Sequence, residues 1–177
     1  GDTPIVRLNR LGEGLKANIM VKLEMLNPGG SIKDRIALKI IEDAEQEGAL
    51  ERGATIVEGT SGNTGAGLAM VAAVRGYHTT FVMPDKQSEE KRAALRAYGS
   101  RVVITPTAGE PEDPQSYYSV SDRLGNEEGS FFANQYHNPS PASPPVAETA
   151  ASPDKAAPYL ALDGSSKHEE AHLPPSA

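Results

Sequence analysis

The stretch from Ala54 to Met83 constrains the fold more than any other part of the chain. A short apolar run, Ala54–Val57, feeds a turn of small residues, Gly59–Gly65. An apolar stretch, Ala66–Arg75, follows and stops at Gly76, and a β-prone run, His78–Met83, begins directly after it. Short apolar runs bounded by turn residues suit strands buried on both faces, as in parallel sheets. The stretch between them is apolar almost all round, which predicts a buried helix ending at Gly76. A strand, a helix and a second strand in this order make a right-handed crossover. The predicted fold class is therefore α/β with a parallel sheet.

The same alternation extends over residues 1–138. Ile19–Leu26 alternates and reads as a strand. Ser31 and Asp34 have the spacing of a capping box, and the helix they open carries Ile36, Ile40, Ile41 and Ala44 on one face and stops near Gly48. A helix is predicted from Ser88 to Tyr98, with Ser88 as N-cap, Glu89 and Glu90 in the first turn and Gly99 as C-cap. Arg101–Thr105 reads as a strand, Ser119–Leu124 as helical, and Ser130–Ala133 as a further strand. No internal repeat is present.

Composition breaks at Pro139. Eight of the chain's 14 prolines lie from there to Ala177, a segment dominated by Pro, Ala and Ser in which Tyr159 is the single aromatic residue. Too little apolar surface is available there to offset chain entropy, so residues 139–177 are expected to be a disordered tail behind a folded 1–138 region. The net charge of −7, without a basic stripe, argues against nucleic-acid partners. The absence of cysteine removes disulfides, zinc–thiolate sites and thiol nucleophiles. It also fits a cytoplasmic setting, and no apolar run approaches membrane-spanning length.

Two loops have residues suited to chemistry. Asn27–Arg35 (NPGGSIKDR) turns sharply and places Lys33 in the first turn of a helix. The helix N-terminus disfavours a cation and so favours the neutral amine that a Schiff-base nucleophile requires. A solvated lysine beside a turn is the plainer reading of the same spacing. Asp34 and Arg35 read as structural, a helix-start acid and a local ion-pair partner. Glu58–Gly65 (EGTSGNTG) joins a strand to the buried helix. Its glycines allow close approach of a ligand, and helix-start amides attract an anion, either phosphate or carboxylate. The loop lacks both the dinucleotide glycine fingerprint and the P-loop ending. His78 and His137 have no metal-ligand spacing, His168 and His172 lie in the tail, and no metal site is predicted. Tyr117 and Tyr118 read as packing residues.

NPGGSIKDR followed by TSGNTG (Thr60–Gly65) resembles the pyridoxal-phosphate (PLP) dependent family of cystathionine β-synthase and cysteine synthase. GDTPIVRLNR and PDKQSEEKRAALRAYGS are similar to that family's opening segment and next helix. SYYSVSDRL and NQYHNP resemble the cystathionine β-synthase branch, the bacterial form in particular. The resemblance implies a three-layer fold type II architecture and PLP as cofactor. It implies Lys33 as the Schiff-base and catalytic lysine, and Asn63 as donor to the cofactor's ring hydroxyl. Thr60, Ser61, Thr64 and Gln135 are implied as the clamp on the substrate carboxylate. The implied reaction is β-replacement: serine loses its hydroxyl and homocysteine's thiol takes its place. Cysteine synthesis from an activated serine and sulfide is the alternative within the family. A Rossmann-like nucleotide module and an inactive truncated chain are the alternatives outside it.

The implied partners are small amino-acid and thiol substrates, with a homodimer as the family's assembly. Members of the family also hold the cofactor phosphate on a Gly-rich loop, and nothing in 139–177 resembles it. The chain as written is therefore expected to be a front half that binds PLP poorly and turns over little. Amide exchange throughout 139–177 is expected to be fast, and strong protection measured there by hydrogen exchange would contradict the compositional reading.

Overall fold

The computed structural model describes residues 2–60, 62–107, 113–135 and 138. The expectation for the 139–177 tail lies outside the described residues. The chain forms β1 (Ile5–Arg7), β2 (Met20–Lys22), a 3-10 turn (Glu24–Leu26), α1 (Lys33–Gln46), β3 (Thr55–Gly59) and α2 (Asn63–Arg75). It continues with β4 (His78–Pro84), α3 (Glu89–Ala97), β5 (Arg101–Thr105), α4 (Tyr117–Gly125) and β6 (Ser130–Phe132). β1 and β2 make a two-stranded antiparallel sheet. The other four strands form a parallel sheet in the order β5-β4-β3-β6. The fold is α/β, as the alternation predicted.

The strand order fixes where helices lie. From β3 to β5 the chain steps in one direction across the sheet, and right-handed crossovers put α2 and α3 on one face. It then returns past β4 and β3 to lay down β6, and the reversed step puts α4 on the other face. α1 packs on α2, and α4 packs on β3, β4 and β6. The main core fills the α1/α2 face: Ile36, Ile40 and Ile41 from α1, Leu68, Ala69 and Ala72 from α2, and Ile56, Phe81 and Met83 from the sheet. These side chains explain the short apolar strands, which face helices on both sides.

Several elements differ from the sequence reading. Only Met20–Lys22 of the predicted strand Ile19–Leu26 is extended. Glu24 leaves the strand because its carboxylate accepts from Thr3 Oγ1 (2.9 Å), Asn27 Nδ2 (2.6 Å) and Arg35 Nε (2.8 Å). Asn27 Nδ2 also donates to the Glu24 carbonyl (2.9 Å), a local bond that competes with strand pairing. Burial pushes the Glu24 carboxyl up, but the bonds from Arg35, Asn27 and Thr3 and the Arg35 charge outweigh it and hold the group below its ordinary range. Arg35 is thus an ion-pair partner, as expected. The capping box is not made: Ser31 Oγ accepts from Lys33 N (3.2 Å), while Asp34 reaches back to Gly29 N (2.5 Å). α2 begins at Asn63, ahead of the predicted Ala66, and is not buried all round, since Val74 is 84% exposed.

α1 and α2 approach closely at Gly67. A Cβ there would sit 2.9 Å from the Lys33 carbonyl oxygen and 3.1 Å from Ala37 Cβ. Gly67→Ala must push backbone apart and is expected to destabilise the protein by about 1–3 kcal/mol, whereas Val74→Ala on the exposed side should stay within about 0.5 kcal/mol. Denaturant midpoints of the two variants check this.

Candidate functional site

The return of the chain to β6 creates a topological switch point. The segments leaving the carboxyl ends of β3 and β6 lie side by side there, at the usual place for a ligand in an open α/β sheet. The β3 exit is the 60–64 loop, and the β6 exit is Asn134–Gln135. Thr60, Asn63, Thr64 and Gln135, all singled out in the sequence, lie on these two exits.

Thr64 Oγ1 donates to Gln135 Oε1 at 2.6 Å, tying the start of α2 to the chain leaving β6 across 71 positions of sequence. Thr64 is buried and Gln135 half-buried. Thr60 lies beneath the loop, 1% exposed. Its Oγ1 accepts from Gly65 N (3.1 Å) and Gly62 N (3.3 Å), so it organises the turn rather than standing at the surface. A Cβ at Gly65 would collide with the Thr60 side chain, whereas Gly62 faces open space. Asn63 is exposed at the first position of α2. Ser61 lies outside the described residues.

Lys33 is half-buried at the first position of α1, where its carbonyl meets Gly67, one helical turn beyond Asn63. The lysine and the loop thus share one end of the sheet. Their register follows from the small-residue contact between α1 and α2. Upstream, the Asn27 carbonyl accepts from Gly30 N (2.8 Å), and Gly30 has a φ of 76°, so the turn before Lys33 needs a glycine there.

Glu58 is a site residue that the sequence reading passed over. It is the last residue but one of β3, is 1% exposed, and its Oε2 has no hydrogen-bond partner among the described residues. Burial raises its carboxyl to about 7. The main-chain amides of Gln135 and Asn134, the Gln135 side chain and the Lys33 charge all oppose that rise without overcoming it. The available signal was a carboxylate inside the run TIVEG, where a parallel strand is otherwise apolar.

On the opposite face, Tyr117 OH donates to the Gly59 carbonyl (2.6 Å), and a Cβ at Gly59 would lie 2.7 Å from Ser121 Oγ. Tyr117 and Tyr118 meet edge-to-face at 4.8 Å. Tyr117 packs as expected, whereas Tyr118 is 60% exposed and touches the fold through the Tyr117 ring. Among the described residues no cluster of metal-ligating side chains occurs, and no helix is long and apolar enough to cross a membrane.

The family described as pyridoxal-phosphate dependent enzymes matches residues 1–151. A cystathionine beta-synthase of Oryctolagus cuniculus is 51% identical over 150 residues, covering 83% of this chain and 27% of that protein. A cysteine synthase of Staphylococcus aureus is 46% identical over 154 residues, covering 87% of this chain and 48% of that protein. The crystal structure of an O-ureido-L-serine synthase superposes with a TM-score of 0.67 at 46% identity, covering 78% of this chain and 42% of that one. The chain thus spans from about a quarter to about half the length of these relatives.

The Glu58 shift sets a pH dependence of stability. The folded carboxyl keeps its proton up to about 7, while the unfolded one releases it near 4.5. Between those values the folded state binds more protons, so this contribution to stability falls as pH rises and is lost above about 7. A gap of that size is worth up to roughly 3 kcal/mol. Unfolding free energies of wild type and Glu58→Gln, measured from pH 4 to 8, should show wild type losing stability relative to the variant as pH rises.

Proposed function

The chain belongs to the pyridoxal-phosphate dependent enzyme family, and on that premise we propose that it carries the reactive lysine and the carboxylate clamp of a β-replacement enzyme acting on serine-type amino acids. The observation that carries this reading is the Thr64–Gln135 bond (2.6 Å), which brings two distant hydrogen-bonding side chains to the switch point beside the helix that begins with Lys33.

The residues present suit the cofactor. A half-buried amine lies at the same end of the sheet as Asn63, and Gly62 leaves open space above the loop. Lys33 would hold the cofactor through its Nζ, and Asn63 would donate to it. When bound, the cofactor supplies an electron sink for charge developing at the substrate's α-carbon. The protein's own part is positioning and proton transfer. Gln135, held by the Thr64 hydroxyl, and Ser61, in the turn that Thr60 organises, take the substrate carboxylate and so fix the direction of the α-hydrogen. Lys33 Nζ accepts that proton and returns it. Two loop amides are already engaged by Thr60 Oγ1, leaving fewer donors for a dianion. That favours a carboxylate over a phosphate at this loop, and with it the amino-acid reading over a nucleotide module.

Within the class we propose cystathionine formation from serine and homocysteine, supported by 51% identity to a cystathionine beta-synthase. The 46% identity to a cysteine synthase over a comparable span supports the second reading, sulfide addition to an activated serine. Excess PLP followed by borohydride should label Lys33, and peptide mapping of wild type beside Lys33→Ala locates the label. Equal labelling of Lys16, Lys22 and Lys39 would sink the assignment. Any cystathionine or cysteine produced with homocysteine or sulfide should fall at least about 10²-fold in Lys33→Ala. The preferred thiol separates the two readings.

A further inference from the structure

The inference concerns Glu58, and it rests on the reading of Thr64 and Gln135 as a carboxylate clamp. Along β3, Ile56 faces the core shared with α1 and α2, so strand alternation sends Glu58 to the same face. The β3–β6 ladder pairs Val57 with Phe132 and continues through Ala133 N to the Val57 carbonyl (2.9 Å). The next residue, Asn134, has a φ of 42° and is the one non-glycine residue with positive φ among those described. Asparagine tolerates this left-handed conformation but does not enforce it. The turn delivers Gln135 to Thr64 and its main-chain amides to the Glu58 carboxyl.

We propose that Glu58 is the positioning residue of the clamp. Its carboxylate holds the Asn134–Gln135 turn in the left-handed conformation that directs the Gln135 side chain at Thr64. The Gln135 amide is then gripped from two sides, its Oε1 by the Thr64 hydroxyl and its nitrogen end by Glu58. This orientation leaves a second N–H on that nitrogen for a substrate carboxylate. An ionised carboxylate is the stronger acceptor, so the turn tightens as Glu58 loses its proton.

Few charges compete for Glu58. Its end of α1 carries Lys33, which favours ionisation, and the acid Asp34, which is bonded to Gly29 N. The first turn of α2 carries Asn63 and Thr64 and no titratable group. The strand partner on β4 is Phe81, and β4 has no acid or base from there to Pro84. The described residues leaving β6 offer amides. On the far face, α4 carries Tyr117, Tyr118, Asp122 and Arg123.

The test is nuclear magnetic resonance of the labelled 177-residue chain between pH 5 and 9. The amides of Asn134 and Gln135 should titrate together with the Glu58 carboxyl carbon, with one midpoint near 7. Glu58→Gln should abolish that titration and speed Gln135 amide exchange at least about tenfold, while Ile56 and Phe81 keep their protection. Unchanged Asn134 and Gln135 amides in Glu58→Gln overturn the proposal, as does a titration of those amides that the Glu58 carbon does not share. Should the variant unfold, the wild-type titration decides alone. Added L-serine separates the inference from the reading beneath it. If serine moves no amide at Thr60, Thr64 or Gln135 while the Glu58-linked titration persists, the clamp reading fails and the role of Glu58 in the turn stands. If serine moves them equally with and without Glu58, the clamp stands and the positioning role falls.

Discussion

The arrangement depends on how closely α1 and α2 approach one another at Gly67. Helices separated by ordinary side chains have axes 8–10 Å apart. Here a glycine lets the Lys33 carbonyl lie where a Cβ would otherwise stand, with Ala37 Cβ beside it. The contact sets the height of α1 along α2, and so the height of Lys33 relative to Asn63 and Thr64. A bulkier residue at 67 would move the lysine as well as loosen the core. Packing and site geometry are therefore one constraint, because the contact lies at the first residue of α1.

The second constraint is topological. β3, β4 and β5 follow one another across the sheet, but β6 returns to the free edge of β3. The exits from β3 and β6 are adjacent in space although about seventy residues apart in sequence, and a single bond from Thr64 to Gln135 joins them. The loop between is seated from both faces. Thr60 Oγ1 gathers two of its amides on the α2 side, and Tyr117 OH holds the Gly59 carbonyl on the α4 side. A loop fixed this way can present donors to a ligand without first paying to order itself.

Local signals in the sequence identified the parallel sheet because each was physically independent of distant residues. Arg101–Thr105 is a strand with the bounds its apolar run suggested. Gly48, Gly76 and Gly99 stop helices with φ of 70°, 81° and 89°, the conformation for which glycine is suited. What failed was decided by distant partners. Glu24 leaves its strand for Arg35 and Thr3, which local alternation cannot register. β1 was read only as part of an opening segment, since three residues carry too little pattern to distinguish a strand. The predicted start of α2 at Ala66 was late because Gly62, Asn63 and Thr64 look like turn residues until Thr60 Oγ1 is seen to gather the amides of Gly62 and Gly65 on either side of them. Lys33 and the loop were legible as motifs, and their common end of the sheet follows from the parallel topology. The pairing of Gln135 with Thr64 needed the return of β6.

Glu58 shows why a buried acid in a strand is easily overlooked and physically informative. Leaving a carboxyl in a dry interior costs several kcal/mol unless it is bonded or stays protonated. Here both remedies are partial. Two amides, a side-chain amide and a lysine favour the charged form, yet burial still lifts the carboxyl to about 7, and one oxygen lacks a partner among the described residues. An apolar residue would pack into β3 at no such cost, as Ile56 does two positions earlier. The acid therefore destabilises the sheet locally while organising the segment that leaves β6. Because its midpoint lies close to neutral pH, its ionisation and the order of that segment are coupled in the range where small changes of environment shift both.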